Sequence, residues 1–218
     1  MRPFRPPAAP VTRALIVACI VVQLVITLGG DAFGERVGLQ AGLIPARLSG
    51  AVAGLPWSVP APLTLLTSLF LHAGWIHLAL NLSFLGWVGR YVEWAVGRWR
   101  FVALYVLSGL AGGLLQFVVS PDSMVPVVGA SGAISGVFGA YAVMFAQSRA
   151  SARRVFGIAV SSDTVTALWY AATWIGLQLL TAVAFNAGGQ GIAIWAHIGG
   201  FVTGLIFAQP FGRGRMLD

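Results

Sequence analysis

The stretch from Val127 to Tyr141, VVGASGAISGVFGAY, carries the strongest signal about the architecture of the chain. It places Ser131 and Ser135 four residues apart in an otherwise apolar run that is rich in glycine and alanine. Small residues allow two membrane helices to approach closely, so packing alone can explain the run. A serine in this setting can also act as a nucleophile, and the rest of the chain distinguishes the two explanations.

The composition is that of an integral membrane protein. Of the 218 residues, 58% are hydrophobic and only 9% are charged, far from the usual values for a soluble domain. The formal net charge of +7 arises from arginines that lie between apolar segments. That distribution is typical of topogenic charge, so no nucleic-acid partner is expected.

Six apolar segments approach the length of about 20 residues that a helix needs to cross the hydrocarbon core. We predict spans at 14–28, 75–92, 101–119, 131–147, 165–185 and 192–210. The first of them has no small-residue cleavage site and is expected to be retained. The predicted organisation is a flexible cytoplasmic N-terminal tail (1–13), a six-helix domain (14–210) and a cytoplasmic C-terminal tail (211–218).

The arginines predict the orientation, because cytoplasmic loops collect positive charge. Most of them fall on one side of the predicted spans: Arg2, Arg5, Arg13, Arg90, Arg98, Arg100, Arg149, Arg153, Arg154, Arg213 and Arg215. The opposite side keeps only Arg36 and Arg47, both in the long apolar loop that follows the first span. We therefore expect both termini in the cytoplasm, Ser131 near the outer face, and a location in a bacterial inner (plasma) membrane.

Polar residues within or beside spans mark the candidate site, because they are costly in lipid unless they face a partner or a water-filled cavity. They are His72, His77, Asn81, Glu93, Ser131, Ser135 and His197. His77 and Asn81 are four apart and share a helix face. All except Glu93 fall in the outer half of their spans, so they can converge on one site.

A serine nucleophile needs a base for its proton and donors for the oxyanion that forms on attack. Ser131 opens the fourth span, where free backbone N–H groups favour negative charge, whereas Ser135 lies one turn deeper. Ser131 is therefore the better candidate. Considered alone, either Ser131 or His197 could have a purely structural role. An intramembrane histidine often serves as a hydrogen-bond donor, and a serine often bonds a carbonyl of its own helix.

Two strips of small residues favour contact between the fourth and sixth spans. They consist of Gly132, Gly136 and Ala140 on one span and Ala196, Gly200 and Gly204 on the other. Close packing of these strips would bring His197 within reach of Ser131. We expect Gly200→Val to separate the two spans and Gly200→Ala to be milder.

The segments HAGWIHLALN, GASG and AHIGGFVTG resemble the rhomboid intramembrane serine proteases, and the resemblance covers about residues 63–208. It implies an all-α, polytopic six-helix bundle with a water-filled cavity open to the outer side. It also implies that Ser131 is the nucleophile and His197 its general base, without a third carboxylate member. By the same resemblance, His77 and Asn81 help to form the oxyanion site and His72 supports them.

Three positions bear on how closely the chain follows this family. Ser135 stands where an aromatic residue often stacks on the catalytic imidazole. The Trp-Arg pair that is common in the first loop is missing, although IPARL offers Arg47. Glu93 matches an acidic position that ties the second span to its neighbours, so we interpret it as structural.

The expected function is hydrolysis of peptide bonds in or near transmembrane segments of other proteins, within membrane lipid and without a metal or cofactor. The aspartates fall in loops or at the end of the chain, and no H-E-x-x-H motif is present, which argues against aspartyl and zinc proteases. One alternative is a non-catalytic rhomboid-like protein that binds transmembrane helices, although such proteins typically lack the serine or the histidine. A small transporter would show inverted repeats, and none is apparent.

Overall fold

The computed structural model describes residues 8–145, 153–155, 158–160, 165, 168–170, 172, 174 and 193–212. The main helices are α1 (Pro10–Gly29), α2 (Asp31–Ala41), α5 (Trp75–Phe84), α6 (Arg90–Val96), α7 (Arg98–Val119), α8 (Ser131–Phe145) and α9 (Ile194–Gly212). A π-helical turn, Leu85–Gly89, joins α5 to α6. The first loop contains the short helices α3 (Pro45–Leu48) and α4 (Thr64–Thr67), the latter between 3₁₀ turns at Ala61–Leu63 and Ser68–Phe70. Two short strands, β1 (Arg153–Val155) and β2 (Ile158–Val160), pair in antiparallel orientation.

Two of the described helices, α1 with 20 residues and α7 with 22, are long and apolar enough to cross a membrane alone. Ala61–Phe70 and Trp75–Val96 pass the same test together, although they meet at a bend of 80°. Helix α8 and the segment Ile194–Ala208 are apolar but shorter. The predicted span 165–185 lies mostly outside the described residues, and its described positions are helical. An α-helical membrane protein is therefore confirmed, while the count of six spans stays a prediction.

Helix α1 is attached to α6 through Glu93. Pro10 occupies the first turn of α1, and no side chain of that helix caps its free N–H groups. The buried Glu93 carboxylate accepts hydrogen bonds from the Val11 N–H (3.0 Å), the Thr12 N–H (2.8 Å) and the Thr12 hydroxyl (2.8 Å). The interpretation of Glu93 as a structural residue is thus supported by its contacts.

Helices α8 and α9 cross with their backbones almost touching. A Cβ atom added at Gly200 would overlap the Gly132 carbonyl oxygen, and one added at Gly204 would overlap that of Gly136. The predicted contact between the small-residue strips is therefore confirmed. Helix α7 completes a three-helix core, in which Phe101, Leu104 and Tyr105 are almost completely buried.

Candidate active site

Ser131 is the first residue of α8, and the turn before it depends on Gly129. Gly129 has φ +127°, a region that glycine tolerates and residues with a Cβ do not. Its N–H donates to the Ser68 carbonyl at 2.9 Å. The first hydrogen bond of α8 runs from the Ile134 N–H to the Ala130 carbonyl at 2.9 Å. The N–H of Ser131 therefore lies in the first helical turn, where backbone donors have no partner within the helix.

The Ser131 hydroxyl and the His197 imidazole meet between α8 and α9. Ser131 Oγ lies 2.6 Å from His197 Nε2, and the His197 ring is buried. His197 Nδ1 is also buried and has no hydrogen-bond partner among the described residues. If Nδ1 carries the proton of the neutral ring, Nε2 is free to accept a hydrogen bond from the serine hydroxyl.

Ser135 makes a different contact, although it lies on the same helix. Its side chain is fully buried, and its hydroxyl donates to the Ser131 carbonyl, one turn earlier, at 2.7 Å. This is the local serine-to-helix bond that competes with any other use of the hydroxyl. The two serines of the GASGAIS stretch therefore differ in surroundings, with Ser131 on the histidine and Ser135 on its own helix.

The His77 ring lies beside Gly129. A Cβ added at Gly129 would lie 3.0 Å from His77 Nε2 and 3.6 Å from Ser131 Oγ, so both side chains border the same small space. His77 Nδ1 accepts a hydrogen bond from the Ala73 N–H at 3.3 Å. Because a backbone amide can only donate, the neutral His77 ring carries its proton on Nε2, the atom beside Gly129.

Asn81 and His72 support His77 from two directions. Asn81 is buried one turn after His77, and its Nδ2 donates to the His77 carbonyl at 2.9 Å, which leaves its second N–H for another acceptor. His72 is buried and packs edge-on against the His77 ring, with 5.2 Å between ring centroids. The structure thus brings Ser131, His197 and His77 together, with Asn81 and His72 behind His77.

Sequence reasoning missed the contributions of Gly129 and Ser68. Gly129 was visible in the VVGASG stretch, where a glycine two residues before a candidate nucleophile indicates a turn with positive φ. Ser68 contributes only its backbone carbonyl, which leaves no signal in the identity of the residue. In the described part of the chain, no group of three or more histidine, cysteine, aspartate or glutamate side chains could hold a metal ion.

Comparison with known proteins gives a family match for most of the chain. The family model described as Rhomboid domain matches residues 59–214. Rhomboid protease GluP of Bacillus subtilis (strain 168) is 33% identical over 148 residues, which are 68% of this chain and 26% of that protein. Rhomboid-like protease 5 of Toxoplasma gondii is 31% identical over 139 residues (64% and 15%), and RHOMBOID-like protein 5 of Arabidopsis thaliana is 40% identical over 76 residues (35% and 25%).

The chain thus spans about a quarter or less of the length of these three relatives. The family model, in contrast, covers well over half of the chain, and it includes both helices that carry Ser131 and His197. The apolar helices agree with a family of membrane proteins. The chain therefore belongs to the rhomboid family of intramembrane proteases.

Proposed function

We propose that this protein is an intramembrane serine endopeptidase that hydrolyses peptide bonds in or near transmembrane segments of other membrane proteins, with Ser131 and His197 as a catalytic dyad. The observation that carries the proposal is the 2.6 Å contact between Ser131 Oγ and His197 Nε2. This contact joins a nucleophile to a general base, the two groups that a serine protease needs. The two helices that carry them pack closely through facing glycines.

The first half of the reaction forms an acyl-enzyme. Ser131 Oγ attacks the carbonyl carbon of the scissile bond while His197 Nε2 takes the hydroxyl proton. The Ser131 N–H and the Nε2–H of His77 are the proposed hydrogen-bond donors to the oxyanion that develops. The second N–H of Asn81 is a further candidate donor. His197 then gives its proton to the leaving amine, and the peptide C–N bond breaks.

The second half regenerates the enzyme. A water molecule gives a proton to His197 Nε2 and attacks the ester carbonyl, and the acyl C–O bond to Ser131 breaks as the serine oxygen regains that proton. The dyad requires no third member for this cycle, because His197 Nε2 alone takes up and returns the proton. His72, packed on His77, is assigned a supporting role.

The site is proposed to lie below the outer surface of the membrane. Helix α8 begins at Ser131, so the nucleophile lies at the end of the helix that the charge pattern places toward the outer side. The arginine pattern supports cytoplasmic termini and a site that opens outward, in a bacterial inner membrane. The proposed domain at 14–210 is flanked by proposed tails at 1–13 and 211–218, although α1 already begins at Pro10 and α9 runs to Gly212.

A rhomboid-like protein that only binds transmembrane helices is the second candidate, and the intact Ser131–His197 contact argues against it. The test is cleavage of a generic rhomboid substrate by the purified protein in detergent. Wild-type protein should cut the substrate, Ser131→Ala should not, and Ser135→Ala should keep measurable activity. A folded wild-type protein that binds the substrate and leaves it intact would contradict the proposal.

A further inference from the structure

Arg47 joins two distant parts of the first loop. Its Nη1 donates to the carbonyls of Leu39 (3.4 Å) and Gln40 (3.3 Å), in the last turn of α2, where a helix has carbonyls without internal partners. Its Nη2 donates to the Val59 carbonyl at 2.6 Å. The Val59 N–H in turn donates to the Gln40 carbonyl at 3.0 Å. The guanidinium therefore closes a junction between the end of α2 and the segment that leads into Ala61–Leu63.

The residues just before Arg47 are paired with the segment that leads to the nucleophile. Leu43 and Val127 exchange two backbone hydrogen bonds, of 3.1 and 2.7 Å, as an isolated antiparallel bridge. The Ala46 N–H donates to the Ser123 carbonyl at 3.1 Å. Leu43 and Ala46 are each only 1% exposed, so this contact is buried. The first loop thus fixes the position of residues 123–127 through backbone hydrogen bonds.

Only a few residues separate Val127, which pairs with the first loop, from Ser131. Gly129, two residues after Val127, borders both His77 and Ser131, and Ser131 begins α8 two residues later. The intervening residues belong to no helix or strand, so a displacement of Val127 is not absorbed by regular structure before it reaches Ser131. A misplacement of about 1 Å at reacting atoms can cost about 100-fold in rate.

We infer that Arg47 is a positioning residue for Ser131, acting through the bridge between Leu43 and Val127. This inference rests on the proposed function. Arg47 lies in the first loop, and its hydrogen bonds go to loop and helix carbonyls and not to the dyad. It sets the shape of the loop that holds the segment before the nucleophile. Its loss should slow acylation of Ser131 and leave binding of the substrate helix largely unchanged.

The experiment compares Arg47→Met, Arg47→Lys and the control Arg36→Met, which removes the other arginine of the same loop, an exposed one. Three quantities are measured: the rate of fluorophosphonate labelling at Ser131, kcat and KM for a transmembrane substrate, and the unfolding temperature in the same detergent. Arg47→Met should lower labelling and kcat by about 10- to 100-fold with little change in KM. Arg47→Lys should fall between, because an ammonium cannot reproduce the guanidinium fork, and Arg36→Met should match wild type.

A disulfide at the bridge separates this role from a general loss of stability. Reciprocally bonded residues have Cα atoms about 5.5 Å apart, a separation that a disulfide can span. In a Cys19→Ala background, the pair Leu43→Cys and Val127→Cys should restore labelling to Arg47→Met when oxidised and lose that effect when reduced.

Two results would overturn the inference while leaving the proposed function intact. One is a labelling rate of folded Arg47→Met equal to that of a reactive wild-type protein. The other is slow labelling that persists with the disulfide closed. A wild-type protein whose Ser131 is unreactive would instead contradict the proposed function, and this inference with it.

Discussion

Gly129 is the residue at which backbone conformation and side-chain packing constrain the site together. Its φ of +127° is unfavourable for any residue with a Cβ. An added Cβ would also lie 2.9 Å from His77 Cε1, closer than ordinary van der Waals contact. A glycine is therefore needed here for two independent reasons, and only one of them involves the site.

Gly129→Ala is expected to reduce substrate cleavage by at least about 10-fold, because the new methyl group must displace the His77 ring or the turn before Ser131. Gly30→Ala is the matched control: Gly30 also has a positive φ, of +80°, but no atom lies within 4 Å of its added Cβ. Both variants place a Cβ at a positive φ, which costs of order 1–3 kcal/mol of backbone strain. Equal activities in a cleavage assay would show that the contact with His77 is unimportant.

At the scale of helices, the crossing of α8 and α9 sets the distance between nucleophile and base. The sequence suggested that Gly200→Ala would be milder than Gly200→Val. In the structure, alanine should be almost as disruptive as valine, because the Cβ that both side chains share already overlaps the Gly132 carbonyl oxygen, next to Ser131. Backbone cannot rotate away as a flexible side chain can, so the helices must separate.

Gly200→Ala is therefore expected to lower turnover by about 100-fold and to lower the unfolding temperature as well. Gly86→Ala provides the control, since its Cβ would meet Ile16 Cδ1 at 3.6 Å, an ordinary contact. Cleavage and thermal unfolding should be measured in the same detergent. Wild-type turnover and stability in Gly200→Ala would mean that the glycine strip does not set the geometry of the dyad.

For the whole molecule, the sequence predicted the helices that cross at the site better than the loop that supports it. The pairing of Ser131 with His197 followed from short motifs and from the periodic glycines, which are local signals. The bridge between Leu43 and Val127 joins residues 84 positions apart through backbone atoms alone, so neither residue type announces it. Arg47 was identified as an available cation, but its three carbonyl partners depend on how the first loop folds.

The proposed orientation predicts which face of the molecule an impermeant maleimide reaches in intact cells. The native Cys19 is fully buried, so the unmodified protein should stay unlabelled. Asp122→Cys, in the exposed turn after α7, should react from outside, whereas Arg98→Cys should react only after permeabilisation. The reverse pattern would place the termini outside and the site on the cytoplasmic side.

The central claim is that the 2.6 Å contact between Ser131 and His197 makes one serine a nucleophile. The most direct test treats the purified protein with a fluorophosphonate and maps the adduct by mass spectrometry, in wild type and in His197→Ala. The account predicts a single adduct on Ser131 that is lost in His197→Ala, because the buried imidazole is the base that activates the hydroxyl. An adduct on Ser135, or labelling of Ser131 that is undiminished without His197, would contradict it.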